Sequence, residues 1–206
     1  MLGANSKPLE QRIFGKPAAL LVKWHVHPNA VTVAGTAAIA GVALGLYPTG
    51  HLWLGSVILA ALVCTDALDG TMARLTGKSN NWGAWLDSTM DRVSDASIFI
   101  GLTLFFVVQG EPLGHALWGV IAGIAAVAAG ALVPYARARA EGLGLNASVG
   151  IAERTDRLIV VLWSAFLGDL ITIWILVGGL ALLAVAGFVT VGQRAWAVYT
   201  QVRAAS

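Results

Sequence analysis

Four aspartates stand in or beside stretches of sequence otherwise apolar enough to cross a lipid bilayer, and that conflict limits what this chain can fold into. Asp66 and Asp69 lie late in one stretch, and Asp87 and Asp91 lie early in the next. A spanning helix needs about 20 mostly apolar residues, with a range of roughly 17–25. On that length the sequence predicts spans over residues 30–47, 52–75, 83–108, 113–139, 151–167 and 170–194. Turn chemistry separates them: Pro48-Thr49-Gly50, residues 76–81, Gly110-Glu111-Pro112, Gly142-Leu143-Gly144 and Gly168-Asp169. The composition agrees, since 57% of the residues are hydrophobic and 12% charged, whereas a soluble domain carries roughly 25% charged residues. A soluble globular fold is excluded on these grounds. The single cysteine excludes an internal disulfide.

The segment before the first span has no continuous apolar core, so it does not read as a cleavable signal. Lys7, Arg12, Lys16 and Lys23 are spread among Leu9, Ile13, Phe14, Leu20 and Leu21 at helical spacing. That pattern predicts a basic amphipathic helix lying in the membrane interface, interrupted by Pro8 and Pro17. The fold class is therefore an all-α integral membrane protein with six transmembrane helices and an N-terminal amphipathic interfacial helix. It forms a single membrane domain over residues 1–206, with an arm at 1–25 and a six-helix bundle at 26–206.

The placement of charge tests this topology independently. The 13 Lys and Arg residues fall in the N-terminal arm, in the second-to-third and fourth-to-fifth loops with their flanking helix ends, or near the C-terminal end. The other three loops carry none. The positive-inside rule then places both termini and those two loops in the cytoplasm, which requires an even number of spans. The four histidines, His25, His27, His51 and His115, fall near predicted membrane borders and read as interfacial. Most of the eight tryptophans read as anchors or lipid-facing residues. Gly41-x3-Gly45 and Gly119-x3-Gly123 permit close helix contact, within the bundle or between copies.

Spans two and three, with the loop between them, carry the chemistry. An ionisable residue inside a membrane span is costly and by default marks a function. Asp66 and Asp69 are three residues apart, and Asp87 and Asp91 four apart, so each pair shares one helix face. A short loop joins the two helices, which brings the pairs together near the cytoplasmic surface. Four carboxylates at close quarters repel one another unless cations neutralise them. All-oxygen ligation selects Mg²⁺ or Mn²⁺ over zinc, and two bridged ions suit displacement at phosphorus. Gly70 and Ala73 leave room for a bulky ligand against the helix, or serve close helix packing. Arg74 offers a planar fork for phosphate or for a neighbouring carboxylate.

The run Asp66-x2-Asp69-Gly70-x2-Ala73-Arg74-x8-Gly83-x3-Asp87-x3-Asp91 resembles the signature of the CDP-alcohol phosphotransferase family. The resemblance implies six membrane helices, a homodimer, and transfer of a substituted phosphate from a CDP-alcohol to a second alcohol with release of CMP. It further implies that Asp66, Asp69, Asp87 and Asp91 ligate two Mg²⁺ ions, with Mn²⁺ as the alternative, and that Asp91 is the catalytic base. Gly70, Ala73 and Arg74 would bind the CDP-diacylglycerol. Pro28, Asn29 and Thr32 resemble the family's Pro-Asn-x2-Thr opening of span one, and Asn80 lies where a small polar residue meets the nucleotide. The chemistry needs such a base, because an acceptor hydroxyl is a poor nucleophile until a carboxylate takes its proton. We expect direct attack on the lipid-bearing phosphorus, although a phosphoenzyme at an aspartate fits the residues as well.

Arg137, Arg139, Arg154 and Arg157 surround one cytoplasmic loop, with Glu141, Glu153 and Asp156 among them. Such a cluster suits a doubly charged acceptor or simply anchors the loop inside the cell. Tyr135-x-Arg137-Ala138-Arg139-Ala140-Glu141 and Glu153-Arg154-x2-Arg157-Leu158 resemble segments of actinobacterial phosphatidylinositol phosphate synthases. That implies inositol phosphate as acceptor, bound by these four arginines. Arg137 stands where lysine is usual and Pro134 where serine is usual. Asp95, one turn beyond Asp91, would orient an arginine or an acceptor hydroxyl, or would pair structurally with Arg92 or a loop arginine. The expected enzyme sits in the plasma membrane with its active site facing the cytoplasm, and binds no nucleic acid. Two other readings compete: the same chemistry with glycerol 3-phosphate as acceptor, and an ion-coupled transporter whose buried acids bind protons or cations.

Overall fold

A computed structural model of the protein describes residues 20, 22–24, 26–65, 72, 80–109, 114–151 and 153–205. Among them are six helices and no strand: α1 (Pro28–Leu46), α2 (Leu52–Thr65), α3 (Asn81–Gln109), α4 (Ala116–Glu141), α5 (Arg154–Leu170) and α6 (Trp174–Ala205). The expected interfacial arm falls outside the described residues, apart from Leu20 and residues 22–24. Three helices are long and apolar enough to cross a membrane by length and composition: Pro28–Leu46, Ala116–Glu141 and Trp174–Ala204.

Local sequence accounts for where the helices begin and turn. Pro28 opens α1, where its missing N–H costs nothing, and the His27 ring accepts a hydrogen bond from the Asn29 backbone at 3.3 Å. After α1, Thr49 Oγ1 donates to the Leu46 carbonyl at 2.9 Å. Gly50 then takes a φ of 88°, which a side chain would resist. Contacts far apart in sequence fix the ends of the bundle. The Trp53 backbone N–H, in the first turn of α2, donates to the Asp169 carboxylate at 2.9 Å. Gln109, the last residue of α3, donates to the Pro48 carbonyl at 3.1 Å. The α1–α2 turn, the end of α3 and the end of α5 therefore lie together at one end of the bundle, as alternating up and down helices require.

The helix contacts close into a ring, α1–α3–α4–α6–α5–α2 and back to α1. Ile98, Leu102, Phe106, Val161, Leu176 and Leu180 are buried inside it. Lipid tails are as apolar as the side chains, so helices in a membrane associate through close packing rather than through the hydrophobic effect. Gly101 lets α3 lie against the Ala43 carbonyl of α1, and a methyl there would overlap it. Gly119 and Gly123 seat α4 on Phe106 and Thr103 of α3, so this small-residue pair serves the bundle itself. Gly41 and Gly45 face open space. All eight tryptophans are exposed, as residues facing lipid or the interface should be.

Two sequence expectations need correction. The predicted break at Gly168-Asp169 lies inside α5, which continues to Leu170, and the turn into α6 comes at residues 171–173. Gly168 reads as a breaker, yet it is there for a crossing: a Cβ on it would stand 3.1 Å from Leu176 Cβ. His115, read as interfacial, is buried between the ring edges of Phe106 and Trp174.

Candidate active site

The site lies at the opposite end of the bundle from Asp169, where α1, α3 and α5 begin. Asn80 caps α3, its side-chain oxygen accepting from the Gly83 backbone at 2.8 Å. Asn29, on the first turn of α1, approaches the same point. A Cβ on Gly83 would touch the side-chain oxygens of Asn80 and Asn29 at 3.4 and 3.6 Å. Pro28 and Thr32 are buried on the same turn of α1, and Thr32 Oγ1 donates to the Pro28 carbonyl at 3.3 Å. Asn29 and Asn80 therefore meet over Gly83, with Pro28 and Thr32 on the same turn of α1 as Asn29. Asp66, Asp69, Gly70, Ala73 and Arg74 lie outside the described residues.

From Gly83 the carboxylates descend α3 into the bundle. Asp87 is exposed, Asp91 is half-buried and Asp95 is buried. Asp87 and Asp91, one turn apart, offer hard oxygen donors on one face, and that donor chemistry fits a divalent ion such as Mg²⁺ or Mn²⁺. Opposite them stands the first turn of α5. Arg154 Nη1 lies 2.8 Å from Asp91 Oδ1, and its Nε lies 3.3 Å from Asp95 Oδ1. Arg157 Nη2 lies 3.2 Å from Asp95 Oδ2. Arg92 completes the network at 3.8 Å from Asp91 and 3.9 Å from Asp95.

Behind this network is a cavity of about 380 Å³ lined by Arg92, Arg137, Arg154, Arg157 and Arg194, together with Glu153 and the loop residues Ser148, Val149 and Gly150. Five guanidinium groups around one acidic side chain give it the charge and donors suited to an anion of more than one charge. Three of the four arginines expected to bind the acceptor line it. Arg139 does not: two residues beyond Arg137, it points roughly 200° around the helix and is exposed. Arg137 pairs with Glu141 at 2.8 Å at the cavity rim.

Sequence reasoning missed Arg194. It closes the end of the last predicted span, where a basic residue reads as a membrane-border anchor. In the fold its Nε donates to the Val149 carbonyl at 3.0 Å, and its Nη1 donates to the Val133 carbonyl. It thereby ties α6 to α4 and to the α4–α5 loop. Gln201 holds the same loop from farther along α6, accepting from the Asn146 backbone N–H at 2.9 Å and donating to the Asn146 carbonyl at 2.6 Å. No local pattern marks Arg194, because its role depends on α6 packing against α4.

The sequence matches the family model for CDP-alcohol phosphatidyltransferase over residues 25–200. The chain belongs to this family. As a CDP-alcohol phosphatidyltransferase with three long apolar helices, it is a membrane protein and an enzyme of phospholipid synthesis, and the transporter reading is set aside. It is 40% identical over 195 residues to the phosphatidylinositol phosphate synthase of Cutibacterium acnes, covering 91% of this chain and 92% of that one. Its structure is similar to that of Mycobacterium tuberculosis phosphatidylinositol phosphate synthase with CDP-DAG bound. The TM-score there is 0.85 at 36% identity, over 92% of this chain and 94% of the other. It is also similar to the structure of that enzyme in complex with manganese and citrate, with a TM-score of 0.83 at 36% identity over 90% and 88% of the two chains. A divalent-metal requirement in this phosphatidyltransferase is consistent with the manganese in that relative.

Proposed function

We propose that the chain transfers the phosphatidyl group from CDP-diacylglycerol to inositol phosphate, releasing CMP. The observation that carries this reading is the Arg154–Asp91 contact, which sets the wall of an arginine-lined anion cavity against the expected catalytic carboxylate. A phosphate held by Arg137, Arg154, Arg157 and Arg194 would leave the rest of the acceptor facing α3. Asp91 then takes the proton of the acceptor hydroxyl as it attacks the phosphorus that bears diacylglycerol. The bond from that phosphorus to the CMP oxygen breaks, with no covalent enzyme intermediate.

Asp66, Asp69, Asp87 and Asp91 would hold two Mg²⁺ ions, with Mn²⁺ as the alternative, and these supply charge neutralisation on the diphosphate. The nucleotide end of CDP-diacylglycerol lies along Pro28, Asn29, Thr32 and Asn80, with Gly70, Ala73 and Arg74 completing its site. Support for this grouping comes from the meeting of Asn29 and Asn80 over Gly83.

The membrane arrangement is part of the same reading. Residues 26–206 form one bundle of six transmembrane helices, and residues 1–25 form an interfacial arm. Both termini and the active site face the cytoplasm from the plasma membrane, and two copies form a homodimer. The distribution of Lys and Arg supports the orientation.

The test is lipid formation by the purified protein from CDP-diacylglycerol, Mg²⁺ and labelled inositol phosphate or glycerol 3-phosphate. Label from inositol phosphate should enter lipid. An Asp91→Asn variant should lose about 10²–10⁴-fold in kcat, the range for removal of a general base. Incorporation from glycerol 3-phosphate alone would overturn the acceptor and keep the chemistry.

A further inference from the structure

We infer that Asp95, which lies outside the aspartate signature, is the positioning residue that sets the acceptor arginines. The inference rests on the reading of the arginine cavity as the acceptor site. Asp95 is 5% exposed, deep between α3 and α5. Its two oxygens are divided between two side chains of the cavity wall: Oδ1 accepts from Arg154 Nε at 3.3 Å, and Oδ2 from Arg157 Nη2 at 3.2 Å. Arg92 Nη1 stands 3.9 Å from Oδ2. One carboxylate thus restrains the guanidinium groups that would otherwise repel one another around the cavity.

What these contacts leave unused points to a ligand. Arg157 is 4% exposed and lines the cavity, yet its Nε and Nη1 have no hydrogen-bond partner among the described residues. A buried donor without a partner is costly, and such costs are usually met by a group that is bound there. Asp95 holds Arg157 by its Nη2 and so keeps those two donors in place for an acceptor phosphate. By holding Arg154 through Nε, it also fixes the side chain whose Nη1 reaches Asp91. Asp95 therefore sets the distance between the acceptor's anchor and the group that takes its proton. It touches no reacting atom.

The experiment is steady-state kinetics of the full-length protein with each substrate varied in turn, for Asp95→Asn, Asp95→Glu, Arg154→Gln and the double variant Asp95→Asn/Arg154→Gln. Removing a charged hydrogen-bond partner should raise the KM for inositol phosphate roughly tenfold or more. The KM for CDP-diacylglycerol should stay within about twofold, and Asp95→Glu should recover part of the loss. The double variant should be worse than Arg154→Gln alone by clearly less than the full Asp95→Asn loss. Arg154→Gln has already removed one of the two arginine contacts that Asp95 makes, so only the loss at Arg157 remains. Equal effects on both KM values, an unchanged acceptor KM, or strictly additive losses would each overturn the assignment. Should Asp95→Asn fail to fold, Asp95→Glu decides by the same KM comparison. A wild-type protein that uses glycerol 3-phosphate instead would defeat the choice of acceptor, and the comparison run with that substrate would still decide the role of Asp95.

Discussion

At the residue scale, the arginines separate into those that meet a ligand cavity and those that do not. Arg194 and Arg139 make the sharpest contrast, since of the two sequence reasoning assigned only Arg139 to the acceptor, whereas only Arg194 lines the arginine cavity. Arg194→Gln should raise the KM for inositol phosphate about tenfold to a hundredfold, the worth of one or two charged hydrogen bonds. Arg139→Gln should leave both KM values within about twofold, and a large acceptor effect there would show that the cavity extends around α4. The aspartates stood out as candidates because intramembrane carboxylates are rare and their spacing fits a helix face. Arg154 and Arg157 were readable from their own local segment. Arg194 was not, because a basic residue at the end of an apolar helix looks the same whether it anchors the helix or turns inward.

At the element scale, glycines of identical sequence character play opposite parts. Gly119 packs against the Phe106 ring, whereas a methyl group at Gly41 would meet nothing within 4 Å. Gly119→Leu should force α3 and α4 apart at a cost of about 1–3 kcal/mol, as overpacking does, and lower the melting temperature in detergent. Gly41→Ala should leave it unchanged or raise it slightly, since alanine is the better helix former by about 1 kcal/mol. Equal melting temperatures for Gly119→Leu and the native protein would mean that the α3–α4 seam is looser than the close Gly119–Phe106 approach requires. The described helices were legible from length and apolarity, and the turns at residues 48–50 and 142–144 from Pro and Gly. The last turn was misread at Gly168, because a glycine that permits a helix crossing and a glycine that ends a helix are the same letter.

At the scale of the whole molecule, the site depends on two groups brought in by different elements: carboxylates on α3 and guanidiniums on α4, α5 and α6. Removal of divalent ions with EDTA should abolish CMP release, and Mg²⁺ or Mn²⁺ should restore it. CMP release that survives thorough chelation would defeat the metal assignment for the four aspartates. The sequence by itself determined the membrane-embedded helical architecture, because a bilayer leaves few ways to satisfy backbone hydrogen bonds. The acidic motif, being local, also carried the resemblance that implied the reaction class, while its spacing alone pointed to a carboxylate site for hard cations. Only the tertiary structure decided which arginines share a cavity, that Arg154 reaches Asp91, and that Asp95 stands behind both Arg154 and Arg157. Those contacts join residues about sixty positions apart, and they exist only once the helix ring has closed.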